Sequence, residues 1–303
     1  MKKLILIFLF IPLVFTCSSN DDPSDSNNYN EVFDCNEFIV ENNGGLVLVS
    51  SVSQANSNNP ENVVVTSYNY DGNKVVSRNV QNFYNDELTY IENYSFIYNN
   101  NQITSIEKGT TNPTNNEFEL EKLYEYDYNS QGLISEYRRF NCDDNICVID
   151  AVYSYSCNSS GQIIFNRLIE DGVNTDGTVS LYYTLDSSGN IVYMDGLIQQ
   201  NDNPNCNTII EYDYDNYNNP FKNITGRIPF LGYISSYYNF NALNNNCTAY
   251  NQQNSGDCES MNSIATCSYI YNDAGYPINK TCQIIQNTTQ DINEVYISYE
   301  YLD

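Results

Sequence analysis

The chain repeats a strand–turn–strand pattern about every 29 residues, and this repeat limits its fold more than any other feature. The clearest copy is YNSQGLI at 128–134. The strand before its turn alternates aromatic and acidic residues, the two-residue period of a half-buried strand: Tyr124, Glu125, Tyr126, Asp127 and Tyr128. Asn-Ser-Gln-Gly then predicts a hairpin turn, because Asn and Gly tolerate left-handed backbone geometry.

Nine copies of this unit can be counted, with spacings of 26 to 31 residues between them. The last strand residues before the turns are Val40, Tyr70, Tyr98, Tyr128, Cys157, Leu185, Tyr214, Phe240 and Tyr271. So constant a period indicates a repeat architecture, and YISYEYLD at 296–303 reads as a closing strand. We therefore predict an all-β antiparallel meander of about nine hairpins, or roughly 18 strands. An open flat sheet of that size would leave its aromatic face wet, so we expect it to curl into a curved or spiralling shell.

The N-terminus has the features of an export signal. Residues 1–16 carry two lysines and then an apolar run too short to span a bilayer, as in a signal peptide. Residues 17–32 are polar and acidic and predict a solvated tether, followed by one repeat domain at 33–303.

The segment that ends in Val14-Phe15-Thr16-Cys17 resembles the lipobox of bacterial lipoproteins, in which the cysteine is acylated and becomes the new N-terminus. The Ser-Ser-Asn-Asp-Asp that follows resembles the surface-export signal of Bacteroidota lipoproteins. These resemblances imply lipidation at Cys17, a membrane anchor, and a location on the outer face of the outer membrane. The alternative is an ordinary cleaved signal with an unrelated cysteine nearby.

The repeat units themselves resemble the YD repeats of the RHS (rearrangement hotspot) family. The copies YEYDYNSQGLI, EYDYDNYNNPF and SYIYNDAGYPI carry the resemblance, which covers residues 33–303. Several consensus positions differ, since Asn218 and Asn245 replace Gly, and Cys157 and Leu185 replace the anchor Tyr. The resemblance implies a β-sheet shell and a loose association with carbohydrate binding.

Nine cysteines follow Cys17, and in an exported chain they predict disulfides. Three pairs flank short turns or loops: Cys267 with Cys282, Cys142 with Cys147, and Cys247 with Cys258. Cys35, Cys157 and Cys206 remain, so at least one of these is free or pairs between chains. A metal site is the alternative, but neither C-x-x-C pairs nor histidines accompany these cysteines.

Charge excludes nucleic acid as a partner. Without Lys2 and Lys3 the mature chain has 10 basic residues against 38 acidic ones, a net charge of −28. The chain has no histidine, so neither Ser-His-Asp nor Cys-His catalysis can be built. Carboxylate pairs such as Glu211 with Asp213, or Glu119 with Glu121, could in principle hydrolyse glycosides, but their spacing also fits a solvated strand face.

No cofactor is predicted, although the turn acids offer oxygen atoms of the kind that calcium binds. These acids are Asp71, Asp143, Asp144, Asp215 and Asp273, and none has the spacing of a known calcium loop. The tyrosine rows could stack on sugar rings or form a packed interior. The candidate stacking residues are Tyr124, Tyr126, Tyr128, Tyr212 and Tyr214.

The sequence favours a non-enzymatic, lipid-anchored envelope protein that acts as a binding or adhesion scaffold, with polysaccharide or another envelope protein as partner. The first alternative is a structural or assembly role in the envelope without a small ligand. A weaker alternative is a glycan hydrolase that uses two carboxylates.

Overall fold

The structure is a computed structural model that describes Cys35 and residues 46–113, 117–144, 146–170, 173–197, 207–226, 244–256, 262–286 and 292–302. The chain divides into Met1–Asn30, which lies outside these ranges, and one unit from Glu31 to Asp303. The predicted signal peptide, Cys17 and most of the predicted tether therefore fall outside the described residues.

Sixteen strands make up the described part of this unit. In chain order they are β1 Val49–Asn56, β2 Asn59–Asp71, β3 Lys74–Tyr84, β4 Glu87–Asn99, β5 Gln102–Thr111, β6 Phe118–Tyr128, β7 Ile134–Asp143, β8 Ile146–Cys157, β9 Ile163–Glu170, β10 Val173–Leu185, β11 Ile191–Leu197, β12 Asn207–Tyr214, β13 Cys247–Ser255, β14 Ser263–Tyr271, β15 Pro277–Gln286 and β16 Ile292–Tyr301.

These strands form a closed antiparallel barrel in which each strand pairs with its neighbours in sequence and β16 pairs with β1. Val52 lies opposite Tyr299 at this closure. The predicted antiparallel meander is present, but the open, curved or spiralling shell of roughly 18 strands is wrong. Pairing β1 with β16 satisfies the backbone groups of two strands that an open sheet would leave unpaired, and this removes both sheet edges.

Four hairpin turns share one local structure, built by the Asn or Asp that opens each turn. In YNSQGLI, Asn129 Oδ1 accepts hydrogen bonds from the backbone N–H groups of Gln131 and Leu133, both 3.0 Å long. Gly132 follows with φ of +84°, a backbone geometry that disfavours a Cβ atom. The same arrangement is opened by Asn158, Asp186 and Asn272. We call the end of the barrel that carries these turns the turn end.

The repeat breaks between β12 and β13. The unit anchored at Tyr214 was predicted to turn back through DNYNNPF, but β12 ends at Tyr214, β13 begins at Cys247, and the described residues between them, 215–226 and 244–246, are not in strands. Asp215 Oδ1 accepts hydrogen bonds from the backbone N–H groups of Tyr217 and Asn246. The residue that follows β12 is therefore bonded to the residue that precedes β13. Phe240, the anchor of the next predicted unit, lies outside the described residues.

Residues 215–226, which we call the crossing segment, pass over the turn end and contact distant strands. The Phe221 ring packs edge-on against Tyr68 of β2, with ring centroids 5.7 Å apart. Asn223 Nδ2 donates 2.8 Å hydrogen bonds to the Val47 carbonyl and the Tyr276 hydroxyl. The Thr225 N–H donates to the Asn73 carbonyl at 2.8 Å. Phe221 is 5% exposed, so the crossing segment contributes to the core at this end of the barrel.

The two faces of the barrel wall differ in chemistry. Inward positions carry the buried aromatic and aliphatic residues, such as Tyr68, Tyr94 and Ile106. Outward positions in the described strands are mainly polar, including Ser67, Asn69, Asn93, Ser95, Glu125, Asp127, Glu211, Asp213, Ser298 and Glu300. Some of these polar side chains bond along the outer surface, as where Asn79 Nδ2 donates to Asn93 Oδ1 at 2.8 Å. The alternation in the sequence therefore places most aromatic residues inside the barrel and mainly polar residues on its outer surface, where Ile97, Ile270 and Tyr296 are exposed exceptions.

Candidate functional site

The five tyrosines singled out as possible sugar-stacking residues all face the barrel interior. Tyr126 is 2% exposed, and Tyr124 is also buried. Tyr128, Tyr212 and Tyr214 are partly buried, and the Tyr128 hydroxyl donates to the Ile103 carbonyl at 2.6 Å. The Tyr214 hydroxyl donates to the Ile191 carbonyl at 2.8 Å. These rings are packed among neighbouring strands and do not form an open stacking surface.

An aromatic stack runs along the inner wall from β6 to β9. Tyr137 lies between Tyr126 and Tyr153, with ring centroids 5.2 Å and 5.3 Å away. Phe165 continues the row 5.1 Å beyond Tyr153. Burial raises the pKa of Tyr126 and of Tyr137 well above the ordinary value, because a phenolate would be desolvated there. We use the name aromatic stack for Tyr124, Tyr126, Tyr137, Tyr153 and Phe165.

Charged side chains lie on the inner wall nearer the other end of the barrel. Lys108 Nζ lies 2.7 Å from Glu92 Oε1 and 3.5 Å from Glu121 Oε2. Arg139 on β7 pairs with Asp150, whose side chain is 6% exposed. These pairs are partly or fully removed from water, where a charge needs a partner. They explain why charged residues occur at inward positions in this part of the wall.

A cleft of about 680 Å³ opens at the end of the barrel opposite the turn end, which we call the rim. It lies beside the β5–β6 connection and is lined by Tyr90, Thr110, Thr111, Asn112, Pro113, Glu117, Phe118 and Glu119. Tyr90 and Phe118 are 38% and 56% exposed, far more than the rings of the aromatic stack. The cleft thus combines two accessible aromatic rings with hydroxyl, amide and carboxylate groups, a set that suits a ligand with both apolar faces and hydroxyls.

Tyr90 and Phe118 both lie close to other residues of the barrel wall. Burial and the carboxylates of Glu121 and Glu92 raise the pKa of Tyr90 above its ordinary value. Gly109 allows the Phe118 ring to approach the sheet, since a Cβ at this glycine would lie 2.4 Å from Phe118 Cε2. Of the cleft residues, the sequence singled out only Glu119, and as an acid rather than as part of a cleft.

The carboxylates considered for hydrolysis lie at three different places in the barrel. Glu211 and Asp213 project outward from β12 into solvent. Glu121 faces Lys108, whereas Glu119 lines the cleft. These positions are those expected of solvated or ion-paired acids.

Two of the predicted disulfides are present as cross-strand bridges. Cys142 bonds to Cys147 across the end of the β7–β8 hairpin, and Cys267 bonds to Cys282 between β14 and β15. A third bridge joins Cys35 to Cys157, two of the cysteines that the sequence left unassigned. Cys206 lies outside the described residues.

The predicted pair of Cys247 and Cys258 is wrong, because Cys247 is a free thiol. Cys247 begins β13, whereas Cys258 follows the strand's last residue, Ser255, in the sequence. A strand of nine residues is about 30 Å long, and a disulfide needs Cα atoms within about 7 Å. The Cys247 thiol instead donates to the Ala249 carbonyl at 3.2 Å, and burial raises its pKa to about 11. Cys258 itself is outside the described residues.

Within the described ranges, no three His, Cys, Asp or Glu side chains come together as a metal site would require. The turn acid Asp215 serves the fold instead, since its carboxylate accepts hydrogen bonds from the Asn246 side chain and from the Tyr271 hydroxyl. The same ranges contain no helix that is long and apolar enough to cross a membrane.

No protein-family model matches the chain, and no curated protein matches it. Among solved structures, the chain is similar to a porin-like protein from Bacteroides uniformis, with 14% identity and a TM-score of 0.49, covering 84% of this chain and 96% of that one. A porin-like protein from Bacteroides vulgatus is similar at 14% identity and a TM-score of 0.39, covering 84% and 99%. At this level of similarity, the assignment of a closed barrel rests on the strand pairing of the chain itself.

Proposed function

We propose that this protein is an outer-membrane lipoprotein, anchored through Cys17, that binds neutral saccharide chains in the rim cleft and is not an enzyme. The observation that carries the proposal is the cleft, whose lining includes the exposed residues Tyr90 and Phe118 together with hydroxyl, amide and carboxylate groups. Aromatic rings bind the apolar faces of sugars, while oxygen and amide groups bind their hydroxyls.

The charge of the cleft supports a neutral ligand over an acidic one. Its lining contains two carboxylates, Glu117 and Glu119, and no cation among the described residues. The nearby inward cation Lys108 is already paired with Glu92 and Glu121. An acidic saccharide would meet like charge here, on a chain whose net charge is strongly negative.

The chemistry of the outer face supports a barrel that is anchored to the membrane but surrounded by water. A barrel that spans a membrane presents an apolar band to lipid, and charged residues within that band are costly. The described outward positions include the cluster in which Arg138 contacts Glu125, Asp127 and Glu136. A lipid on Cys17 would attach such a protein to the envelope without burying its wall.

Calorimetric titration with neutral hexasaccharides of glucose, mannose, galactose and xylose tests this function. We expect at least one to bind, and Tyr90→Ala or Phe118→Ala to weaken binding about five- to tenfold, as the loss of about 1 kcal/mol of ring contact requires. Tyr296→Ala is the matched control, because Tyr296 is 45% exposed but lies on the outward face of β16. Absence of binding by every sugar, or equal losses in all three variants, would contradict the proposal, and sugar release during the titration would contradict its non-enzymatic part.

A further inference from the structure

Five apolar residues form a continuous row across the seam at which β16 pairs with β1. Each lies directly opposite the next in the strand register, from β16 through β1, β2 and β3 to β4: Tyr296, Ala55, Val63, Phe83 and Leu88. Tyr296 and Leu88, at the two ends of the row, are 45% and 37% exposed, and the three residues between them are partly exposed. We call these five residues the seam row.

The seam row lies on the outer surface of the barrel. Val64 on β2 and Ile297 on β16 pack against the core, so their chain neighbours Val63 and Tyr296 point outward. The next outward positions towards the turn end are also apolar on two of the strands, at Val65 and Ile91. A contiguous apolar surface of this kind is uncommon on a monomer in water and is typical of a contact with another molecule.

The wall around the seam row is poor in charge, although the chain as a whole is strongly acidic. The outward positions of β1, β3 and β4 are serine, asparagine, glutamine, alanine, phenylalanine or isoleucine over residues 51–55, 77–83 and 91–97. Elsewhere on the wall, β6 and β7 present charged outward residues: Glu125, Asp127, Glu136 and Arg138. Two acidic copies of one chain repel each other least where each of them lacks charge.

We propose that the seam row is the contact surface between two copies of this chain, which pack wall to wall. A twofold contact uses the same surface on both copies, so the seam row of one copy meets the seam row of the other. A lipid surface fits less well, because the outward positions just described carry no lysine or arginine to attract its anionic groups. None of the five residues lines the rim cleft, so the contact is independent of the saccharide site.

The size of this surface indicates a reversible dimer. Five strands about 4.8 Å apart, with outward positions about 7 Å apart along each strand, give an uncharged area of roughly 20 Å by 20 Å. This is about 400 Å² on each copy, roughly half of the 800 Å² that each partner contributes to a standard stable interface. The two walls are also convex, which limits how far the contact can spread. We therefore expect single and paired copies to interconvert.

Photo-crosslinking of the full-length protein in the cells that produce it tests this contact. p-Benzoylphenylalanine replaces Phe83 or Tyr296 in the seam row, or Asp213, an exposed outward residue of β12 that serves as the control. Copies that carry two different affinity tags are produced together. We expect positions 83 and 296 to give a product that carries both tags, in a yield at least fivefold higher than position 213.

A matched pair of substitutions tests whether the apolar surface itself makes the contact. Leu88→Glu introduces a charge into the seam row, whereas Ile270→Glu introduces the same charge at an outward position of β14 that is 59% exposed. Because both positions are exposed in the single barrel, neither charge is buried by folding. With p-benzoylphenylalanine at position 296, Leu88→Glu should lower the yield of the two-tag product at least fivefold, and Ile270→Glu should leave it within twofold.

Absence of the two-tag product, or equal yields from positions 83, 296 and 213, would overturn the proposal. Equal losses with Leu88→Glu and Ile270→Glu would overturn it as well, because the contact would then not depend on the seam row. Crosslinks from positions 83 and 296 to lipid, or to other proteins without any two-tag product, would show that a different molecule covers this surface.

Discussion

Tyr126 and Tyr137 lie directly opposite each other on β6 and β7, with stacked rings 5.2 Å apart, and neither hydroxyl has a hydrogen-bond partner among the described residues. Their nearest structural counterpart is Tyr128, two residues along β6, whose hydroxyl donates to Ile103. The barrel wall thus contains tyrosines whose hydroxyls are hydrogen-bonded, such as Tyr128, and tyrosines whose hydroxyls are not, such as Tyr126 and Tyr137.

Removing the unbonded hydroxyls should change stability little. We expect Tyr137→Phe and Tyr126→Phe to alter the free energy of unfolding by less than about 0.5 kcal/mol, because only an unmatched polar group is lost. Tyr128→Phe should cost about 1 kcal/mol, since it leaves the Ile103 carbonyl without its donor. Urea unfolding of the three variants compares them. A larger loss for Tyr137→Phe than for Tyr128→Phe would reveal a polar partner inside the barrel.

Arg138 and Arg139 are adjacent but face opposite sides of the wall, so the same substitution should have very different effects. Arg139→Gln leaves the buried carboxylate of Asp150 unpaired and should cost about 3–5 kcal/mol. Arg138→Gln removes contacts with Glu125, Asp127 and Glu136 at the solvated surface and should cost about 1 kcal/mol or less. Denaturant unfolding measures both, and similar losses would show that the inward and outward positions are wrongly assigned.

The three described disulfides close loops of very different length and should stabilise the fold in that order. The loop model gives about 2 kcal/mol for Cys142–Cys147, about 3 kcal/mol for Cys267–Cys282 and about 5 kcal/mol for Cys35–Cys157, whose sequence separations are 5, 15 and 122. Replacing both cysteines of each bridge by serine, followed by chemical unfolding, measures the series. An inverted order would mean that local packing at the bridges outweighs loop closure.

The Cys247 thiol should be unreactive while the barrel is folded. Burial raises its pKa from 9.0 to about 11, so at pH 8 the folded protein should contain about one hundredth of the thiolate present in the unfolded chain. Alkylation by iodoacetamide at pH 8, followed at the peptide that contains Cys247, should therefore be about a hundredfold slower without urea than with it. Rates within threefold of each other would contradict burial of this thiol.

The same pKa shift makes stability depend on pH in the alkaline range. The folded state favours the neutral thiol, so the contribution to stability is complete below pH 9 and is lost as the pH rises from 9 through 11. A Cys247→Ala variant should lose less stability than the parent protein between these pH values. Parallel pH profiles would show that other groups, such as the buried tyrosines, account for the alkaline loss.

Turns and side-chain orientations were predictable because they depend on residues that are adjacent in the sequence. The turn after Tyr128 follows from Asn129 and Gly132, one supplying the accepting oxygen and the other the left-handed backbone. The alternation of Tyr126 with Asp127 likewise assigns one residue to the core and the other to solvent. Pattern reasoning therefore finds the strands, most of the turns and the orientation of their side chains.

Closure and the cleft were not predictable in this way, because both depend on residues that meet only in the folded chain. Nothing near Val52 in the sequence indicates that Tyr299 will lie opposite it. Tyr90 and Phe118 come from different strands, and neither stands out from the many aromatic residues of the repeat. The break after Tyr214 was missed because DNYNNPF has the same turn-forming residues as the hairpins, although its Asp215 bonds to Asn246 instead.

The pairing of β1 with β16 also sets the order in which the protein can be completed. Ser51 Oγ donates to Glu300 Oε2 across this seam, from a residue 249 positions away. The first strand must therefore wait for β16 before it is fully paired, and until then the growing sheet has two unpaired edges that any other strand could join. A chain cut short before β16 would keep both edges, and two such chains could supply each other with the missing neighbour. Folding of the barrel is thus complete only when the ten residues of β16 have paired with β1.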